Sequence, residues 1–178
     1  VVQDGRLVRL CCNGCVKDLH ADAMPFLMKI DAAVIEQQKP GYPLTECLVG
    51  GQDLDNKLAE DKVYGMRLVR FCCPNCSGKF EAASSKYMAQ LDAAYIAAQT
   101  PLYPLDTCVV TGQKLGGMGE PHNYVWANQL VKFCCKGCIP QFNKDPRQYM
   151  VKVYAAMPQH GQDAGSTSTV APAVKTKK

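Results

Sequence analysis

Nine of the eleven cysteines in this 178-residue chain fall into three clusters of one design. Residues 7–15 read LVRLCCNGC, residues 68–76 LVRFCCPNC and residues 130–138 LVKFCCKGC. Three thiols within five residues are poor partners for one another as disulfides, because a disulfide demands a narrow range of Cα separation and dihedral angle. Thiolates that converge can instead share a cation, and four is the number that closes a tetrahedral zinc site. The two cysteines outside the clusters, Cys47 and Cys108, supply that count. Cys47 joins Cys72, Cys73 and Cys76, and Cys108 joins Cys134, Cys135 and Cys138. The first cluster, Cys11, Cys12 and Cys15, has three thiols and no earlier partner after Val1. Its weaker site would need water or an outside ligand.

The clusters belong to a larger repeat. Cys12, Cys73 and Cys135 are 61 and 62 residues apart, and residues 31–54 match residues 92–115 at 14 of 24 positions. Tandem modules of about 60 residues follow, larger than the common solenoid units, and small enough that an apolar core needs a staple. We place a first module at 1–40, a second at 41–101 and a third at 102–158. Residues 159–178, rich in Gly, Ser, Thr, Ala and Lys without periodicity, read as a disordered tail.

Each module must position its thiols with few elements. Cys47 lies on an early turn marked by Gly50 and Gly51, a polar loop follows, and residues 64–71 have the β-branched and aromatic character of a strand that delivers Cys72. Beyond Cys76, the apolar positions Phe80, Tyr87, Met88, Leu91, Tyr95 and Ile96 recur at helical spacing, with Ser84 or Ser85 as caps. In the third module Asp145 and Pro146 read as an N-cap and a first-turn proline. Helices end near Pro40, Pro101 and Pro158. The fold class is α+β: three tandem modules, each a β-hairpin or strand followed by helices. A helix N-terminus beside the thiols favours thiolate over thiol.

At this point a family resemblance emerges. CVVTG at 108–112, the strand before FCCKGC at 133–138, then Phe142, Asp145, Pro146 and Tyr149, resembles the YHS and TRASH domains, treble-clef-like zinc-finger modules associated with heavy-metal handling. The pattern covers 47–87 as well and, in part, 6–26. The resemblance implies Cys108, Cys134 and Cys138 as metal ligands, with Cys47, Cys72 and Cys76 in the second module. Two departures stand out. Gly50 and Thr111 occupy the place where the family often has a second early cysteine, and Cys73 and Cys135 are surplus thiols after the strand.

Three readings of the cysteines are open: zinc that holds a small fold together, handling of a soft ion such as Cu(I), and thiol–disulfide chemistry. Zinc is the default metal. Arg9, Arg70, Lys132 and Lys136 flank the clusters, either solvated or lowering thiol pKa values. His122 could serve as a fourth ligand in the third module, but the second module has no histidine in its corresponding loop, so His122 reads as an exposed loop residue, and His20 and His160 read as surface groups. CNGCV and CKGCI lack the histidine of a haem-attachment sequence. Met24, Met28, Met88 and Met150 read as core and Trp126 as packing.

No Ser/His/Asp set, phosphate-cradling glycine loop or repeated carboxylate pair is present, so the expectation is a non-enzymatic protein. Its net charge of +4 gives no nucleic-acid footprint, and no apolar run is long enough to span a membrane. Metal ions are the expected partners, with helices available to a protein partner in the structural reading. A chain opening on Val1 within a repeat fits removal of a leader and export to a bacterial periplasm, with the cytoplasm as the alternative.

Overall fold

A computed structural model describes residues 2–3, 6–117 and 119–157. The assigned tail at 159–178, with His160, lies outside the described residues, as does the proposed helix stop at Pro158. The described residues form a mixed α+β structure with six α-helices and two hairpins of five-residue strands, together with a third pair of two-residue strands near the N-terminus.

The N-terminal part comprises β1 (Val2–Gln3), β2 (Arg6–Leu7), α1 (Asn13–Ala21) and α2 (Met24–Gln38). Next come β3 (Glu60–Tyr64), β4 (Arg67–Phe71), α3 (Asn75–Ala82) and α4 (Ser84–Gln99). The final set is β5 (His122–Trp126), β6 (Gln129–Phe133), α5 (Cys138–Lys144) and α6 (Pro146–Ala156). Strand pairing is antiparallel, with Glu60 opposite Phe71 and Tyr64 opposite Arg67, repeated as His122 opposite Phe133 and Trp126 opposite Gln129.

The expected single strand at 64–71 is therefore the tip and second arm of a hairpin. Gly65 and Met66, with φ of 55° and 66°, reverse the chain in two residues, and the expected polar loop contributes β3. Two consecutive left-handed residues suit the twist of a tight hairpin, and Ala127 and Asn128 repeat them at 47° and 64°. Alternation hid the turn, because Tyr64 and Leu68 read as one pattern across it. The serine caps are also corrected: Ala83 precedes α4 and no side chain caps it. Asp145 does occupy the N-cap of α6 with Pro146 following, without a side-chain capping bond.

The repeated cores are aromatic. Phe71 and Phe80 meet edge to face at 5.4 Å, and Phe133 and Phe142 do so at 5.3 Å. Tyr87 stacks on Phe80, as Tyr149 does on Phe142. Val69, Leu91 and Tyr95 complete the first of these clusters, and Val131, Met150 and Val153 the second. Burial of such rings supplies most of the driving force available to a small core. Trp126 packs on Phe142. Met150 is buried and Met88 partly so, but Met24 and Met28 are 62% and 66% exposed, against expectation. α2 covers its neighbours with Leu27 and Val34 instead.

Packing crosses the junctions drawn at 40/41 and 101/102. α2 lies on the β3–β4 hairpin, and α4 lies on the β5–β6 hairpin. At each junction a helix-terminal glutamine grips the next hairpin. Gln38 Nε2 donates to the Met66 carbonyl at 3.0 Å while its Oε1 accepts the Leu68 N–H at 2.8 Å. Gln99 does the same to Asn128 and Leu130 at 3.0 and 2.6 Å. Tyr42 and Tyr103 hydroxyls accept the N–H groups of Arg70 and Lys132 at 3.2 and 3.1 Å. Asn128, buried at the second turn, ties the sets together: its Nδ2 donates to Gln38 Oε1 and the Leu68 carbonyl, and its Oδ1 accepts from Arg67 Nε.

Candidate metal centres

The early cysteine of each buried set sits on a tight knuckle. Cys47 N–H donates to the Gln52 carbonyl at 2.9 Å and Gly51 N–H returns to the Cys47 carbonyl at 2.8 Å. Cys108, Gln113 and Gly112 repeat both bonds at 2.8 Å. Gly51 and Gly112 have φ of 64° and 73°, a conformation that costs glycine little, so the knuckle closes within five residues. The other sulfurs arrive from the far side. Cys72 and Cys134 follow the last residues of β4 and β6, and Cys76 and Cys138 stand in the first turns of α3 and α5. Phe71 and Phe133, fully buried one residue earlier, anchor this strand-to-helix corner.

Three groups of sulfurs converge, each within 4.8 Å of one another: Cys47, Cys72 and Cys76; Cys108, Cys134 and Cys138; and Cys11, Cys12 and Cys15. The first two groups are buried, and the third is largely exposed. Cys72 and Cys76 Sγ are 3.6 Å apart, Cys134 and Cys138 3.7 Å, and Cys108 and Cys138 3.8 Å. A disulfide requires about 2.05 Å. A tetrahedral ion with Zn–S bonds of about 2.3 Å places its sulfurs about 3.8 Å apart, so the donor set and its spacing fit a thiophilic cation. In the N-terminal set, Cys15 Sγ lies 3.5 Å from Cys11 and 3.6 Å from Cys12, all from one segment.

Cys73 and Cys135 stand apart from these groups. Their sulfurs lie 3.6 Å from Cys76 and 3.9 Å from Cys138, and both are partly exposed. Consecutive residues leave the corner in different directions, which keeps the surplus thiol out of the buried triad. His122 is the first residue of β5, opposite Phe133, and no described group of candidate ligands includes it. His20 is exposed.

Electrostatics point the same way. Burial pushes the Cys108 thiol up, but bonds from the Thr111 hydroxyl and from the N–H groups of Thr111, Cys134 and Val110 outweigh it and bring it to about 6. Cys47 is lowered as well: burial raises it, and the N–H groups of Gly50, Cys72 and Val49 prevail. Burial and neighbouring thiols push Cys76 and Cys138 up. In each buried triad the knuckle thiol is thus the one eased towards thiolate, and a shared cation is the partner that would ionise the others. Cys73 is lowered by its bond with Cys76, and Cys135 by the Gly137 N–H. Cys15 is raised to about 11 by Cys11 and Cys12.

The flanking cations are not uniformly solvated. Arg70 is half-buried against Asp61 and stands 5.8 Å over the Tyr42 ring, and Lys132 lies 5.5 Å over Tyr103. Their task is to hold the clamp tyrosines. The clamp residues Gln38, Gln99, Tyr42 and Tyr103 carried no role in the sequence reading, although all four are identities in the repeat. Asn128 had no such signal, since Met66 occupies the equivalent turn.

Comparison of the chain with protein-family models, with curated proteins and with solved structures returns no match. No described helix is long and apolar enough to cross a membrane.

Proposed function

We propose that this chain is a non-enzymatic metal-binding protein whose two buried triads each hold a thiophilic ion, zinc by default and Cu(I) as the alternative. The reading rests on the convergence of Cys108, Cys134 and Cys138, buried sulfurs brought together from two loops and a helix at spacings suited to a shared ion. The order of knuckle cysteine, hairpin and helix-borne cysteine supports a zinc-finger-like module akin to the YHS and TRASH domains. Binding energy in such a module is also folding energy.

Elemental analysis and native mass spectrometry of the freshly isolated, reduced chain test the reading. Two tightly held ions are expected, with a weaker third at Cys11, Cys12 and Cys15. A metal-free chain with paired cysteines would overturn it.

A thiol–disulfide function is the second reading. It is favoured by the partly exposed Cys73 at 3.6 Å from buried Cys76, in a Cys-x-x-Cys pair at a helix start. Quantitative alkylation against a glutathione redox series separates the two: a pair that cycles while metal stays bound elsewhere supports exchange chemistry, and alkylation that reaches Cys73, Cys135 and the Cys11–Cys15 cluster but spares the six buried cysteines supports the metal reading.

A further inference from the structure

Beside each buried triad stands one thiol that is not a member of it. Cys73 Sγ lies 3.6 Å from Cys76 Sγ, and Cys135 Sγ lies 3.9 Å from Cys138 Sγ. Cys73 and Cys135 are partly exposed, whereas all six triad cysteines are buried. A small disulfide arriving from solvent therefore meets the surplus thiol first, and access of this kind governs thiol–disulfide exchange. Thiols so close in sequence are in general poor disulfide partners, but the backbone makes these two pairs an exception. Cys76 N–H donates to the Cys73 carbonyl at 3.1 Å, and Cys138 N–H to the Cys135 carbonyl at 3.3 Å. Each pair thus spans a single hydrogen-bonded turn, which keeps its end Cα atoms within about 7 Å. A disulfide takes Cα separations of about 4.4–6.8 Å, so side-chain rotation can bring the sulfurs to about 2.05 Å. Cys76 and Cys138 belong both to such a turn and to a triad.

We infer that Cys73 and Cys135 are oxidative modification sites that control zinc release: each, once joined to a small disulfide, pairs with the helical cysteine and withdraws it from its triad. The inference rests on the metal-binding reading and assigns that site its regulation. In the first step Cys73, its proton lost to solvent, attacks oxidised glutathione. A Cys73–glutathione disulfide forms and one glutathione thiolate leaves. In the second step the Cys76 sulfur attacks that of Cys73, so the Cys73–Cys76 bond forms, the bond from Cys76 to the ion breaks and the second glutathione thiolate leaves. Two cysteine sulfurs are oxidised, one glutathione disulfide is reduced, and the ion keeps its oxidation state. Cys47 and Cys72 then remain, two sulfurs where a closed zinc site takes four ligands. The same steps at Cys135 and Cys138 leave Cys108 and Cys134.

The test uses the full chain loaded with zinc and treated with excess oxidised glutathione in the absence of oxygen. A chromogenic zinc indicator follows release, and peptide mapping by mass spectrometry assigns the disulfides. Cys73–Cys76 and Cys135–Cys138 disulfides are expected, with one of the two tightly held ions lost for each, and dithiothreitol with added zinc should restore the loaded chain. The Cys73→Ser/Cys135→Ser double variant, whose triads are intact, should keep both ions through the same treatment. Release from the double variant at the parent rate, disulfides that join Cys72 to Cys76 or Cys134 to Cys138, or a parent chain that keeps both ions under excess oxidant would each overturn the inference. A double variant that takes up no zinc would overturn it too, because the surplus thiols would then be ligands. Failure of the underlying reading looks different: the reduced parent chain would hold no zinc at its buried cysteines before any oxidant is added.

Discussion

Gln38 Oε1 accepts the backbone N–H of Leu68 at 2.8 Å, a bond between the end of one repeat's helix and the hairpin of the next. Gln99 and Leu130 repeat it at 2.6 Å. A glutamine amide matches the hairpin here because it offers one acceptor and one donor in a plane, and the strand presents an N–H and a carbonyl two residues apart. The repeats are therefore joined by polar groups, and each glutamine oxygen takes a second donor as well, Asn128 Nδ2 at Gln38 and Gln129 Nε2 at Gln99.

Gln99→Ala leaves the Leu130 N–H and the Asn128 carbonyl unpaired beneath α4. Unsatisfied buried groups cost about 1–3 kcal/mol each, so a fall in Tm of several degrees is expected by calorimetry of the metal-loaded chain. Metal content should not change. Loss of metal in this variant would mean that the clamp and the Cys108 triad cannot be separated.

Cys138→Ser and Cys135→Ser form the informative pair at the third set. Cys138 Sγ touches both Cys108 and Cys134, so its loss should release one ion per chain and unfold the β5–α6 region, read as lost near-ultraviolet dichroism of Trp126. Cys135→Ser should retain the ion. A chain that loses metal equally in both variants would place Cys135 among the ligands.

Acid should weaken the junction at Asp61. Burial raises its carboxyl, but bonds from Lys39 and Arg70 prevail and hold it below the ordinary 3.8. A depressed folded pKa contributes stability that is fully present above the unfolded value of about 3.9 and is lost as pH falls through the lower folded value. Denaturant titrations of metal-free chain below about pH 4 should therefore show a smaller pH dependence in Asp61→Asn than in the parent. Identical slopes would show that Asp61 keeps its ordinary pKa on folding.

Metal removal should destabilise the two buried modules more than the N-terminal cluster. Chelation under reducing conditions takes away the cation that offsets three crowded thiols, and Cys76 and Cys138 then revert to neutral thiols. Hydrogen exchange should rise first in the 47–51 and 108–112 knuckles, with α2 protected longest by its packing on β3–β4. Unchanged protection after chelation would assign the sites no structural role.

The order of residues alone determined the repeat, the α+β class and the donor types, because a thiol's chemistry and its place in the chain do not depend on folding. It also located the strand-to-helix corner, since Phe-Cys-Cys-x-x-Cys changes from strand to helical spacing within a few residues. It could not decide which three of the four thiols in each set converge. Cys47 and Cys72 are separated by 25 residues, and their sulfurs meet only because the Gly51 knuckle and the Phe71–Phe80 contact fix both ends of that span. The Gly65–Met66 turn was hidden because residues 60–63 read as polar loop, and they become a strand only by pairing with β4. Met28 was misplaced for a related reason: a helical stripe shows which residues share a face, but only the neighbouring hairpin decides which face is covered. Cys73 stays outside the buried group that includes Cys47, although it neighbours Cys76, because the tertiary packing of the corner decides which thiols face the knuckle.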